Sequence, residues 1–284
     1  MDTVADTLRA AAARLADSDS PQLDAELLLA HALGKDRSHL RAYPEAVLGA
    51  AQAHRYAELV EARRRGEPIA YLTGEREFWS LLLKVTPATL VPRPETELLV
   101  EQSLAAVPVA ADWEVLDLGT GSGAIALAIA KERPRCRVCA VDVSTRALAV
   151  ARENAHRLHI SNVRFMQGDW FSPVAGRRFR VIVSNPPYIS DSDPHLGEGD
   201  LRFEPRQALA SGADGLRDIR RIVTDAAAHL QPDGLLLLEH GYGQGEAVRS
   251  LLQAAGFTDI RSLRDLAGHE RVSSGKHANG GIAG

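Results

Sequence analysis

The sequence predicts an α/β protein: a mostly parallel, seven-stranded sheet with helices on both faces, preceded by a small N-terminal helical bundle. Three observations carry this expectation. Beyond about residue 112, short apolar runs alternate with helical stretches, the pattern of a sheet built from strand–helix–strand units. The first of those runs passes directly into a glycine-rich turn and then a helix. The first 74 residues, by contrast, show helical periodicity without a strand signal.

The N-terminal region, 1–74, begins with Leu8, Ala11, Ala12 and Leu15 at helical spacing. Ser20 and Pro21 supply an N-cap and a first-turn proline for a second helix, which carries Leu23, Leu27 and Leu28 and stops near Gly34. A third helix is predicted from about Pro44 to Arg65, ending at Gly66. Such a bundle suits partner recognition or simple stabilisation. Residues 75–91 read as a hairpin linker, with Phe78, Trp79 and the run 81–85 strand-like and Ser80 at the turn. The remaining 92–284 form the α/β domain. It opens on a helix started by Pro92, Arg93, Pro94, Glu95, Thr96 and Glu97, which places acids near the positive end of the helix dipole. Its strands are predicted at 113–118, 136–142, 163–168, 179–184, 234–239 and 257–263, with a weak seventh at 271–275 and an unstructured tail over 276–284.

Composition narrows the function classes. Lysine and arginine number 33 against 37 aspartate and glutamate, a net charge of −4. That balance argues against wrapping nucleic acid without regard to sequence, which needs many cationic contacts to phosphate. The basic run is Arg63, Arg64 and Arg65. Without a basic-then-apolar leader or an apolar run of membrane-spanning length, the expectation is a cytoplasmic protein, here taken as a monomer. The two cysteines, Cys136 and Cys139, have half the spacing of a zinc site but no second pair of ligands. Three residues apart on a strand they face opposite ways, so buried free thiols are expected rather than a metal or a disulfide.

The chemistry starts where the first strand ends. Gly119, Thr120, Gly121, Ser122 and Gly123 follow Leu118 and precede an Ala- and Ile-rich helix, so the backbone can turn tightly and approach a ligand closely. The spacing satisfies a loose dinucleotide fingerprint as well, which leaves a nicotinamide cofactor open at this point. Asp142 ends the next strand, 23 positions after Gly119, where an acid can accept from a ribose diol or cap the following helix. Asp169 and Trp170 end the third strand: an acceptor for an exocyclic amine and a flat apolar wall, or else a core tryptophan.

The fourth strand closes on Asn185, Pro186, Pro187 and Tyr188. Two prolines stiffen this turn and remove two amide donors, so its carbonyls are free to accept from an outside amine. Asn185 adds a side-chain acceptor and Tyr188 a stacking face. Together they suit an –NH2 group on a planar conjugated system. Two further polar positions stand out: Glu204, a candidate contact on a covering loop, and the strand-end pair Glu239 and His240, of which the histidine reads as structural.

LDLGTGSG, the acid Asp142, GDW and SNPPYI occur in the order seen in class I S-adenosylmethionine methyltransferases that act on amino or amide nitrogens. With VTPATLVPRPETELLVE at 85–101, DPHLGEGDLRFEP at 193–205 and LLLEHGYGQGEAV at 236–248, nearly the whole chain resembles the bacterial glutamine-N5 methyltransferase of peptide chain release factors. The resemblance implies a seven-stranded methyltransferase sheet (Rossmann-like) behind a small helical domain. It implies S-adenosylmethionine as cofactor, and as partner a class I release factor methylated on the glutamine of its Gly-Gly-Gln motif. Gly119, Thr120, Gly121, Ser122 and Gly123 would cradle the methionine end, Asp142 the ribose, and Trp170 and Asn185 would line the pocket, beside Asp169 as the acceptor read from the residues. Residues 93–97 would lie near the methionine moiety. Asn185, Pro186, Pro187 and Tyr188 would hold the glutamine, with Asn185, Pro186 and Tyr188 serving the reaction. The segment 271–275 is more polar than the family's last strand. The rival readings are a glutamine methyltransferase of a ribosomal protein, a DNA adenine-N6 methyltransferase, a nicotinamide dehydrogenase and a silent binding module.

Overall fold

A computed structural model describes residues 2–277. The chain divides into two compact units, one of residues up to Glu75 together with Glu198–Phe203, the other of Arg76–Gly197 with the residues from Glu204 onward. The short segment 198–203 thus belongs with the helical unit, whereas the sequence reading had assigned it to the α/β domain.

The helical unit holds five helices: α1 (Val4–Arg14), α2 (Pro21–Leu33), α3 (Arg37–Ala42), α4 (Ala50–Arg64) and α5 (Ile69–Thr73). Its core gathers Val4, Ala11, Leu15, Ala25, Leu28, Leu29, Tyr56 and Val60. Leu23, expected on the apolar face of α2, is exposed, because Ala25, Leu28 and Leu29 take that face. The expected long helix from Pro44 begins only at Ala50. The carbonyls of Pro44 and Ala46 accept from the N–H groups of Ala5 and Val4, so this segment satisfies the open first turn of α1 instead of continuing a helix. Ser20 sits at the N-cap of α2, but its hydroxyl donates to Asp24 rather than capping the backbone.

The basic run of the sequence is neutralised within this unit. Arg63 donates to Asp24 and to Asp200 at 2.7 Å each, Arg64 pairs with Glu61 and Arg65 with Glu67. Asp24 is nearly buried, so the Arg63 guanidinium compensates a carboxylate that has left water.

In the second unit, β1 (Glu75–Phe78) and β2 (Leu81–Lys84) form the hairpin, turning through Trp79 and Ser80 at φ 52° and 54°. Trp79, expected in a strand, is therefore a turn residue, its positive φ matching the twist that two-residue hairpins require. A single 3-10 turn, Pro94–Thr96, leads into α6 (Glu97–Ala106). The large sheet follows: β3 (Glu114–Leu118), β4 (Arg137–Asp142), β5 (Val163–Gln167), β6 (Phe179–Ser184), β7 (Leu230–Glu239), β8 (Phe257–Arg264) and β9 (Glu270–His277), ordered β5-β4-β3-β6-β7-β9-β8. The pairs from β5 to β7 are parallel, and β9 lies antiparallel between β7 and β8. Alternate residues feed two cores. Val115, Val138, Ala140, Val181 and Val183 face α6 and α7 (Ala124–Glu132), while Leu116, Leu118, Cys139, Val141 and Ile182 face α9 (Arg217–His229) and α10 (Gly245–Ala254). Cys136 and Cys139 are buried thiols belonging to opposite cores, as their spacing implied.

The weak seventh strand forms in full and extends over Lys276 and His277, which had been assigned to the tail; residues 278–284 lie outside the described residues. Its polar sequence is accommodated by hydrogen bonding, not by apolar contact. Buried Ser273 bonds both His240 Nε2 and Ser262 Oγ at 2.9 Å, so an interior strand can carry hydroxyls without leaving them unsatisfied. Among the described residues, no helix is long and apolar enough to cross a membrane.

Removing the Arg63 side chain strands the Asp24 carboxylate inside the helical unit. Arg63→Ala is expected to destabilise that unit by about 3–5 kcal/mol, read as a lowered urea midpoint in helical circular dichroism. An unchanged midpoint would show that the ion pairs are energetically idle.

Candidate active site

Parallel register sets the site. Pairing of Leu118 with Val141 and Ser184 brings the ends of β3, β4 and β6 to one edge of the sheet. Beyond that edge lies a cleft of about 400 Å³, a volume suited to a small-molecule ligand. Gly119, Gly121, Asp142, Asp169, Trp170, Asn185 and Pro187 all line it.

The glycine loop divides by role. Gly119 and Gly121 have φ of 73° and 56° and present backbone to the cleft; a Cβ on Gly121 would meet no atom within 4 Å, so the open space begins there. Thr120, Ser122 and Gly123 stand behind this surface. The Thr120 hydroxyl donates to Asp117 at 2.6 Å, the Ser122 carbonyl accepts from Asn154, and Gly123, at φ 87°, passes close to Leu127 and Ala151. Asn154 also bonds the N–H and C=O of Lys84, so one buried amide ties the hairpin, the loop and α8 (Thr145–Arg157) together.

Asp117 was not singled out by sequence, although an acid within an apolar strand is itself a signal. It is fully buried, accepts from Thr120 and from the Ala126 N–H at the start of α7, and burial pushes its carboxyl up to about 7. Asp142 does not cap α8 itself; it holds the residue that does. One oxygen accepts from the Gly121 N–H at 2.9 Å and the other from the Ser144 N–H at 2.8 Å, while Ser144 itself caps α8. The carboxylate therefore pins the loop while lining the cleft.

Asp169 reaches the cleft already paired, both oxygens engaged by the Arg221 guanidinium. Trp170 lines the cleft, packs against the second core, and lies 3.5 Å from where a Gly119 Cβ would stand. It does so at φ 47°, a left-handed conformation costly for a tryptophan and held by its surroundings. Arg146, Gln207, Arg217 and Arg221 also line the cleft and carried no local signal in the sequence.

Within the proline turn, Asn185 and Pro187 face the cleft, Pro186 is buried and Tyr188 is half-buried against the second core. Asn185 Nδ2 donates to Thr96 Oγ1 at 3.1 Å. The Tyr188 hydroxyl donates to Glu239 Oε1 at 3.3 Å, and burial raises its pKa, keeping it protonated. Glu239 itself is buried at the end of β7, and burial pushes it up to about 7. Its neighbour His240 is structural: fully buried, it bonds the Gly241 carbonyl and Ser273, and burial lowers its pKa. Glu204 is neither solvated nor a cleft contact. Its buried carboxylate accepts from the Val91 N–H at 2.9 Å and pairs with Arg93, fastening the chain before α6 to the loop that carries Pro205 and Gln207.

Such a site can hold a small ligand over the glycines and present oxygen acceptors beside it, and among the described residues no histidine or cysteine lines the cleft. Residues 6–74 match the PrmC N-terminal domain, and residues 94–198 the methyltransferase small domain. The release factor glutamine methyltransferase of Salmonella typhimurium strain LT2 is 54% identical over 95% of this chain and 97% of its own length. That of Burkholderia pseudomallei strain K96243 is 52% identical over 97% and 99%, and that of Escherichia coli K12 50% over 95% and 97%. Among solved structures, a methyltransferase from Pyrococcus furiosus covers 80% of this chain and 100% of its own at TM-score 0.54 and 21% identity, a likeness of fold. With half or more of the residues identical along nearly the entire length, the chain belongs to the release factor glutamine methyltransferase family.

Proposed function

We propose that this protein transfers the methyl group of S-adenosylmethionine to the side-chain amide nitrogen, N5, of the glutamine in the Gly-Gly-Gln motif of class I peptide chain release factors. The observation that carries the proposal is that Asn185 and Pro187 line the same cleft as Gly119, Gly121 and Asp142. An amine-binding turn and a nucleotide-binding loop thus share one space. The names of its relatives point to the same substrate.

The cleft fits the cofactor on its own features. Its volume of about 400 Å³ suits a nucleoside-sized ligand. Gly119 and Gly121 leave room for close backbone approach, Asp142 offers the free lone pairs of an anchored carboxylate to ribose hydroxyls, and Trp170 offers an apolar wall to the base. Asp169, held by Arg221, sits beside that wall. When bound, S-adenosylmethionine supplies a methyl carbon already made electrophilic by its sulfonium.

The protein's task is then the nucleophile. An amide nitrogen shares its lone pair with the adjacent carbonyl and reacts only when held in line. In this reading the Asn185 side-chain oxygen and the Pro186 carbonyl accept the two N–H bonds of the substrate amide, and Tyr188 supports the amide plane. The gain comes from orientation and from acceptors fixed in advance, with no covalent intermediate on the protein. The ion-paired state of Arg63, Arg64 and Arg65 favours a protein substrate over a nucleic acid.

Three outcomes test the reading. Incubating a Gly-Gly-Gln-bearing release factor with enzyme and S-adenosylmethionine should add one methyl to that glutamine by mass spectrometry, with none on duplex DNA; methylation of DNA alone would sink it. Asn185→Ala should lower turnover by about 10²–10³ while leaving cofactor affinity within about tenfold; normal turnover would remove Asn185 from the mechanism. Asp142→Asn should weaken S-adenosylmethionine binding by about 10–100-fold in titration calorimetry, and wild-type protein should not bind NAD.

A further inference from the structure

Two consecutive prolines leave a turn with few donors of its own. Pro186 and Pro187 have no N–H, so the turn over residues 185–188 has to be held from outside. At its near end the Asn185 side chain donates to Thr96 Oγ1 at 3.1 Å. At its far end the holder is Gln244, the N-cap residue of α10. Its Nε2 donates to the Tyr188 carbonyl at 3.0 Å, and its Oε1 accepts from the Gly241 N–H at 2.9 Å. Both partners are backbone groups of fixed polarity: an N–H can only donate and a C=O can only accept. The Gln244 amide therefore has one direction available, because a flipped one would set donor against donor and acceptor against acceptor. The Gln244 N–H also donates to the Gly241 carbonyl, so the side chain springs from a closed turn at the head of a helix. Gly215, at φ 74°, packs on the same Tyr188 carbonyl, where a Cβ would collide with the oxygen. The Tyr188 hydroxyl donates to Glu239 at 3.3 Å, on the strand that leads to Gln244. Backbone and ring of Tyr188 are thus both held by the connection between β7 and α10.

We propose that Gln244 is a positioning residue for the methyl transfer. Its amide fixes the Tyr188 end of the proline turn, and with it the Pro186 carbonyl and the Asn185 side chain that receive the substrate amide. The proposal rests on the reading of residues 185–188 as the turn that holds that amide. Gln244 does not line the cleft, so it acts only through the turn. The prolines carry the constraint: with φ fixed at both rings, a shift of Tyr188 passes on to the Pro186 carbonyl instead of being absorbed on the way. The cofactor side of the cleft has separate supports, since Asp142 holds the Gly121 N–H and Asp117 the Thr120 hydroxyl. Loss of Gln244 should therefore misaim the amide-binding groups and spare the cofactor.

The test measures kcat on a Gly-Gly-Gln-bearing release factor at saturating S-adenosylmethionine, with cofactor affinity by titration calorimetry and melting temperature alongside. Gln244→Met keeps the length and loses both bonds; kcat should fall by about 10–100-fold while cofactor affinity stays within about threefold of wild type. Gln244→Glu keeps the shape, but its ionised carboxylate opposes the Tyr188 carbonyl, so at about pH 8 it should be as slow as Gln244→Met. Protonated, the same carboxyl accepts from Gly241 and donates to Tyr188, which restores both bonds. Facing a carbonyl raises its pKa above the ordinary value of about 4.3. The kcat of Gln244→Glu relative to wild type should therefore climb as pH falls from about 8 to about 5, and that of Gln244→Met should not. Glu239 and His240 before the turn, Asp214 with Arg220 across it, and Glu270 with Arg249 beside Gly245 are shared by all three enzymes and cancel in the ratio. The inference is overturned if Gln244→Met turns over like wild type, if cofactor affinity falls in step with kcat, or if Gln244→Glu gains nothing on acidification. Should Gln244→Met fail to fold, the pH ratio of Gln244→Glu decides. Wild-type enzyme that transfers no methyl to the release factor would instead overturn the proposed function.

Discussion

The parallel pairing of β3 with β4 on one side and β6 on the other is the constraint from which the cleft follows. Leu118 stands beside Val141 in one pair and Ser184 in the other, so three strands end at the same height. The glycine turn, Asp142 and Asn185 are simply the next residues of each chain, and they meet because their strands stop together. A slip of one residue in either pairing would turn the strand's apolar set toward the wrong core and move its terminal polar group away from the others. The two cores on the sheet faces thus hold the register, and the register holds the site.

Around this edge the protein buries acids with uncommon freedom. Asp117 and Glu239 are both fully withdrawn from water and both pushed up to about 7, and Glu204 is buried beside Arg93. Each works on backbone or hydroxyl groups of a neighbouring segment: Asp117 on the glycine turn and α7, Glu239 on Tyr188, Glu204 on Val91. Burying a carboxylate is costly, and the two high pKa values record part of that cost. For a carboxyl raised in the folded state, the native fold is favoured in acid and loses that advantage as pH climbs through the raised value. These groups therefore tax stability near neutral pH in exchange for directional hydrogen bonding where the ligands lie, which is where such compromises are expected.

Much of this was legible in the sequence, for local reasons. The glycine turn followed an apolar run and opened a helix, and the strands announced themselves by length and apolarity. The proline turn carried its chemistry in consecutive residues. Errors fell where a distant segment overrode a local pattern. Residues 44–49 read as helix but serve the first turn of α1. The strand expected at 271–275 does form, and its polar character finds its reason only in the sheet, where Ser273 is satisfied by His240 and Ser262. The partner of Asp169, Arg221, also left no local sign, since it comes from α9, far along the chain.

The sequence by itself determined which groups could bind and react: alternate glycines, an acid at a strand end, and an asparagine before two prolines, since each is a property of a few adjacent residues. Tertiary structure decided how those groups are aimed. Asn185 is steadied by Thr96, 89 positions away, and the chain before α6 by Glu204, 113 positions from Val91. Contacts of that span leave no periodicity or spacing to read; they exist only once the sheet has brought the segments together, and a hydrogen bond gains its direction from both partners at once.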